Sequence, residues 1–118
     1  MEKLYDLYIK KLKTVTTDFV RYLYEKINWN SQLIAIMGAR GVGKTTMVLQ
    51  HILMTDTKKD SLYIAADNTY FAANTLYDTA TKFAQQGGKI LYIDEIHKYQ
   101  SWSKEVKMMY DYLPDLKV

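Results

Sequence analysis

The architecture of this chain follows from one octapeptide, Gly38-Ala39-Arg40-Gly41-Val42-Gly43-Lys44-Thr45. It follows an apolar run over residues 33–37 and opens a segment with helical spacing, which is the setting of a phosphate-binding loop. Gly38 and Gly43 let the backbone curl so that successive N–H groups point inward and form an anion site at a helix N-terminus. The pattern therefore predicts a polyphosphate site between a strand and a helix.

Individual residues of this segment have expected roles. Lys44 is placed to reach the β- and γ-phosphates, and the Thr45 hydroxyl to coordinate Mg²⁺. Thr46 is expected in the first helical turn, with its backbone N–H at the α-phosphate. Arg40 either contacts the γ-phosphate or a neighbouring subunit, or is a solvated loop arginine. The predicted phosphate-binding set is continuous: Gly38, Ala39, Arg40, Gly41, Val42, Gly43, Lys44, Thr45 and Thr46.

A second motif lies at the end of the apolar run 90–93, where Asp94 and Glu95 stand side by side. An uninterrupted apolar run is typical of a strand buried on both faces of a parallel sheet, and ligands bind at the carboxyl ends of such strands. Asp94 is predicted to hold Mg²⁺ through its water shell. Glu95 is predicted to polarise the attacking water, which makes Glu95 and Lys44 the predicted catalytic residues. The alternative, a surface acidic pair ending an ordinary strand, is weakened by the preceding phosphate loop.

Composition sets further limits. The chain has 118 residues, of which 48% are hydrophobic and 25% charged, as expected for one soluble globular domain. No apolar stretch is long enough to cross a bilayer, the amino terminus lacks a signal-peptide pattern, and there are no cysteines, so a cytoplasmic protein without membrane contact is expected. The net charge of +3 is evenly spread, so it predicts no basic arm for nucleic acid. Most of the eleven tyrosines are expected to pack half-buried with a solvated hydroxyl.

The hydrophobic spacing predicts an alternation of helices and strands. Residues 2–27 are expected to form an amphipathic helix, interrupted at the β-branched cluster 14–17. Strands are expected at 32–37, at 62–66 and before Asp94, and helices at 44–55, 69–86 and 102–112. The buried faces predicted for two of these helices are Val48, Leu49, Ile52 and Leu53, and Trp102, Val106, Met109 and Tyr110. This order predicts a three-layer α/β fold with a mostly parallel sheet, in which residues 1–28 form a helical segment and 29–118 the core.

Two further side chains have alternative interpretations. Trp29, just before the first predicted strand, is expected to anchor the core, with packing on an adenine base as the alternative. His97, close to the acidic pair, is expected to be an exposed or packing histidine, with a switch as the alternative.

Taken together, these motifs resemble the nucleotide-binding core of AAA-type ATPases. More narrowly, the chain is similar to a prokaryotic family of predicted ATPases, through Arg40, the run Asp94-Glu95-Ile96-His97, and Trp102 with Val106-Lys107 and Met109-Tyr110-Asp111. The resemblance implies a P-loop NTPase fold, ATP and Mg²⁺ as cofactors, and ATP hydrolysis. It also implies a homo-oligomer or further domains of a parent chain, with nucleic acid bound only through regions outside this sequence.

The same resemblance implies a gap in the sheet. In AAA-type sheets a sensor strand lies between the acidic strand and the phosphate-loop strand, and here it would begin only at 116–118. The chain is therefore interpreted as a partial AAA-type core, whose slot is filled by a rearranged sheet, by direct pairing or by a segment of another copy. Two other functions stay open: a nucleotide-binding switch without turnover, and a helicase motor, for which the spacing between Lys44 and Asp94 is tight.

Overall fold

The computed structural model describes residues 2–14, 29, 31–34, 44–55 and 58–118. From residue 44 onward helices and strands alternate, and single turns of 3-10 helix occupy Lys58–Asp60, Thr69–Ala72 and Ile96–Lys98. The longer elements are, in order, α1 (Glu2–Leu12), α2 (Lys44–Thr55), β1 (Ser61–Ala65), α3 (Leu76–Gln85), β2 (Ile90–Asp94) and α4 (Trp102–Tyr112). This mixture confirms the predicted α/β class. Among the described residues, every helix is too short or too polar to span a bilayer.

The two strands β1 and β2 pair in parallel, as the sequence predicts. Their register places Tyr63 opposite Tyr92 and Ala65 opposite Asp94. Because side chains alternate along a strand, Tyr63, Tyr92 and Asp94 lie on one face of the sheet, whereas Ile64 and Leu91 lie on the other. One face is therefore apolar, and the other carries hydroxyl and carboxyl groups towards its carboxyl end.

Helix α1 packs against β1 through residues spaced one turn apart, Leu4, Tyr8 and Leu12, all of them buried. The helix ends at Leu12, before the β-branched cluster 14–17 at which the interruption is predicted. The continuation predicted over 15–27 lies outside the described residues. Tyr8 is 1% exposed and belongs to the same apolar cluster as Leu62, which makes α1 part of the core.

Helix α3 begins later than the spacing predicts. Thr75 caps it by accepting a 3.0 Å hydrogen bond from the Asp78 amide, and a separate 3-10 turn over 69–72 is capped by Asn68. A hydroxyl cap stabilises a new helix start, which divides the predicted 69–86 helix in two. The helix is followed by Gly87, whose φ of +91° suits glycine. A Cβ at the next residue, Gly88, would lie 2.3 Å from the ring of Phe83, so that position also requires glycine.

The predicted inward faces of α2 and α4 are partly wrong. On α4, Trp102 and Tyr110 are 41% and 51% exposed, while Glu105 and Met109 face the core. Compared with the predicted orientation, α4 is turned so that Glu105 faces inward, where its carboxylate accepts a hydrogen bond from the first turn of α3. On α2, Leu49 and Ile52 are buried as predicted, but Leu53 is exposed. Two polar residues of α2, Gln50 and His51, are buried instead. They suit the hydroxyl-bearing side of the sheet, which α2 faces.

The other edge of β2 contacts the last residues of the chain. Lys117 forms a parallel bridge with Ile90, and its carbonyl accepts a 2.8 Å hydrogen bond from the Leu91 amide. Val118 lies on the far side, where it donates to the Gln32 carbonyl at 2.8 Å and accepts from the Ile34 amide at 3.0 Å. Residues 117–118 therefore lie between β2 and residues 32–34. The spatial order β2, 117–118, 32–34 is the one that the family resemblance implies. Within the described residues, β2 does not pair directly with 32–34. Of the predicted first strand, residues 32–34 form these hydrogen bonds without being a regular strand, and 35–37 lie outside the described residues.

Candidate nucleotide site

The carboxylate of Asp94, at the end of β2, is the centre of a hydrogen-bonded cluster. Its Oδ2 accepts from the Thr45 hydroxyl at 2.5 Å and from the Tyr63 hydroxyl, and its Oδ1 accepts from the Glu95 amide at 2.9 Å. Burial works to raise the pKa of Asp94, but these hydrogen bonds, together with the nearby Lys44 ammonium, hold that pKa below its usual range. The group is therefore an oriented anion at neutral pH.

The first turn of α2 supplies two of the predicted site residues. Lys44 begins the helix, and its charge acts on the Asp94 carboxylate. The Thr45 hydroxyl donates a hydrogen bond to Asp94, so the lone pairs of its oxygen point elsewhere and can bind a cation. Thr46 is exposed in the same turn. The structure thus brings the predicted metal ligands Thr45 and Asp94 together, with Lys44 beside them.

The remaining predicted phosphate-binding residues cannot be placed in the same way. They lie outside the described residues: Gly38, Ala39, Arg40, Gly41, Val42 and Gly43. They directly precede the Lys44–Thr45 turn in the sequence, and the Thr45 hydroxyl of that turn contacts Asp94. Their contact with phosphate stays a prediction.

Glu95 has an unusual backbone. It adopts the left-handed conformation, with φ 54° and ψ 34°, which costs a non-glycine residue on the order of 1 kcal/mol. Its amide binds Asp94, and its buried Oε2 lies 3.4 Å from His97 Nε2. His97 is mostly exposed, as predicted, yet it has a partner that the sequence did not suggest. Backbone strain of this kind is concentrated at functional sites, so the turn supports a functional position for Glu95.

Sequence reasoning missed Tyr63. Its ring is 8% exposed and its hydroxyl donates to Asp94, so it is an exception to the expected solvated tyrosines. Burial, followed by the neighbouring carboxylate, raises the pKa of Tyr63 far above its ordinary value, so the phenol stays protonated and remains a donor. A signal was present in the sequence, because Tyr63 is a polar-tipped residue inside an otherwise apolar strand.

Comparison with known families agrees with this geometry. A family model described as an AAA domain matches residues 30–118, which is most of the chain. The chain belongs to the AAA domain family. The predicted resemblance is thereby confirmed, and with it a nucleotide-binding fold of the ATPase type. Comparisons with curated proteins and with solved structures gave no match.

Trp29, just outside the matched segment, contacts the AAA domain through α2. Its ring stacks on the His51 imidazole, with centroids 3.8 Å apart and planes at 10°. His51 is buried, which lowers its pKa, and meets the Tyr92 ring edge-on at 6.4 Å. These contacts favour the core-anchoring interpretation of Trp29 over packing on a base.

The donor set around Asp94 suits a hard cation held mainly by oxygen. Within the described ranges, no group of three or more His, Asp or Glu side chains converges to hold a metal. A cation at this edge of the AAA domain would therefore take its ligands from Thr45, from water and from phosphate oxygens, with Asp94 supplying charge. This is the coordination that Mg²⁺ prefers in nucleotide sites.

Proposed function

We propose that this AAA domain binds ATP with Mg²⁺ and hydrolyses it at the edge of the sheet where α2 begins and β2 ends. The observation that carries the proposal is the hydrogen bond from Thr45 to Asp94. It joins the residue that ends the phosphate-binding motif to the acidic strand, which lies far away in the sequence. An ordinary surface carboxylate would have no reason to accept a hydrogen bond from the half-buried hydroxyl of that motif.

In this proposal the residues before α2 hold the triphosphate with their amides, and Lys44 pairs with the β- and γ-phosphates. Thr45 would hold Mg²⁺ directly, and Asp94 would hold it through one of the waters on the cation. When bound, Mg²⁺ would supply positive charge that neutralises the phosphate oxygens during hydrolysis.

Glu95 is the proposed acceptor of a proton from the attacking water. Its left-handed turn and its hydrogen bond to Asp94 fix its backbone directly beside the metal-binding carboxylate. Full activity in phosphate-loop enzymes commonly needs an arginine at the γ-phosphate. Because the chain has only Arg21 and Arg40, we propose that a neighbouring copy or a further domain supplies it, and that this chain alone is slow.

A second candidate is a nucleotide-binding switch without turnover. It is favoured by the position of Glu95 Oε2, which is buried and lies 3.4 Å from His97 Nε2. A carboxylate held by a side chain of its own loop is less available to a water. The two functions share the binding site and differ only in turnover.

Measurement of nucleotide binding and of phosphate release distinguishes the ATPase from the switch without turnover. Glu95→Gln is expected to keep the affinity for Mg²⁺ and ATP and to lower phosphate release by about a hundredfold or more, because the amide accepts no proton. Glu2→Gln, on the exposed first turn of α1, makes the same chemical change away from the site and is expected to change neither. Binding without phosphate release in the unsubstituted chain, also at high protein concentration, would favour the switch.

A further inference from the structure

We propose that Tyr63 is a positioning residue that fixes the Asp94 carboxylate for magnesium-dependent nucleotide binding. The inference rests on the proposed function, since it assigns Tyr63 a part in the same site. Neither the octapeptide nor the acidic pair includes this residue, and its role follows from the register of β1 and β2.

The register explains how the two side chains meet. Tyr63 lies opposite Tyr92, so Asp94 is its diagonal neighbour two residues further along β2 on the same face. Diagonal neighbours in a sheet are about 7–8 Å apart, a distance that an aromatic side chain spans. The Tyr63 ring is buried, so its hydroxyl is held at one place, on Asp94 Oδ2.

The acceptor sites of Asp94 show what this contact does. A carboxylate has about four lone-pair directions, two on each oxygen. Oδ2 accepts hydrogen bonds from the hydroxyls of Thr45 and Tyr63, and Oδ1 accepts one from the Glu95 amide. Among the contacts in the described part of the chain, one acceptor direction is left, on Oδ1, and it suits a water of the hydrated cation.

Removal of the Tyr63 hydroxyl would loosen this arrangement. The torsion that turns a carboxylate about its Cβ–Cγ bond is broad, so the group depends on its partners for orientation. Without Tyr63, Oδ2 keeps only Thr45, and both the carboxylate and the Thr45 hydroxyl gain freedom. Groups that hydrogen-bond the direct ligands of a metal typically contribute 10–100-fold to metal affinity, and Tyr63, which lies one step further out, is expected at the lower end of that range.

The test compares nucleotide affinity with and without the metal. Calorimetry with a non-hydrolysable ATP analogue gives the Kd at saturating Mg²⁺ and in EDTA, and their ratio is the gain due to Mg²⁺. Tyr63→Phe is expected to lower that gain on the order of tenfold and to leave the Kd in EDTA unchanged. Tyr92→Phe is the matched control, since it removes a hydroxyl from the same face, opposite Tyr63, and is expected to keep the gain.

Each outcome has a distinct meaning. An unchanged gain in folded Tyr63→Phe would overturn the inference, as would an equal loss in Tyr92→Phe. Absence of any Mg²⁺ gain in the unsubstituted chain would overturn the proposed function itself. If circular dichroism shows that Tyr63→Phe does not fold, Tyr63→4-fluorophenylalanine replaces it, because it fills the same volume without a hydrogen-bond donor. That variant must then show the roughly tenfold lower Mg²⁺-dependent gain in affinity.

Discussion

At the scale of single residues, the site depends on how polar groups are satisfied around Asp94. Two hydroxyls and one amide converge on its carboxylate from α2, β1 and the following turn. Lys44, Thr45, Asp94 and Glu95 could be named from the motifs alone, because their residue types and order suffice. Tyr63 could not, since its importance depends on the parallel register and on the face of β1 that carries its side chain.

The left-handed backbone of Glu95 makes a prediction at this scale. Glu95→Gly is expected to be more stable than Glu95→Ala by about 1 kcal/mol, because glycine adopts a φ of 54° without the Cβ clash that alanine retains. Urea unfolding of both variants measures the difference, and both lack the carboxylate, so its loss cancels in the comparison. A Gly variant no more stable than the Ala variant would contradict the strained turn.

At the scale of elements, α3 and α4 are joined by a buried carboxylate. Glu105 Oε1 accepts from the Tyr77 amide in the first turn of α3 at 2.9 Å, and its Oε2 accepts from the Ser101 hydroxyl at 2.8 Å. The bounds of α4 and the inward position of Met109 could be predicted from sequence, but the inward position of Glu105 could not. Helical spacing favours Trp102 and Tyr110 for the core, whereas the unsatisfied amides at the start of α3 require an acceptor there.

This contact predicts a pH-dependent stability. Burial works to raise the pKa of Glu105, but hydrogen bonds from Tyr99, the Tyr77 amide and Ser101 outweigh it, so the folded pKa is lower than the usual 4.5. A depressed pKa stabilises the fold above about pH 4.5, and this contribution disappears as the pH falls through the folded pKa. Glu105→Gln is therefore expected to cost about 1–2 kcal/mol at pH 7 and progressively less below pH 4.5.

Urea unfolding between pH 3 and 7 measures this dependence. Asp6→Asn, an exposed carboxyl change on α1, is the control and is expected to have little effect at any pH. A Glu105→Gln cost that stays constant across the range would show that the charge of Glu105 does not support α3.

At the scale of the whole molecule, one core serves both the N-terminal helix and the AAA domain. Leu4, Tyr8 and Leu12 of α1 share an apolar cluster with residues of both strands. The parallel α/β order could be predicted from alternating apolar runs and helical spacing. The position of residues 117–118 between β2 and 32–34 could be expected only from the family resemblance, because no local pattern encodes strand order.

The central claim is that Thr45 and Asp94, far apart in sequence, form one site for magnesium and ATP. A double-mutant cycle with Thr45→Val and Asp94→Asn measures it, with the Mg²⁺-dependent gain in ATP affinity as the readout. Groups that share one function lose it together, so the double variant is expected to lose hardly more than either single variant. Independent, additive losses, or no Mg²⁺ gain in the unsubstituted chain, would contradict the account.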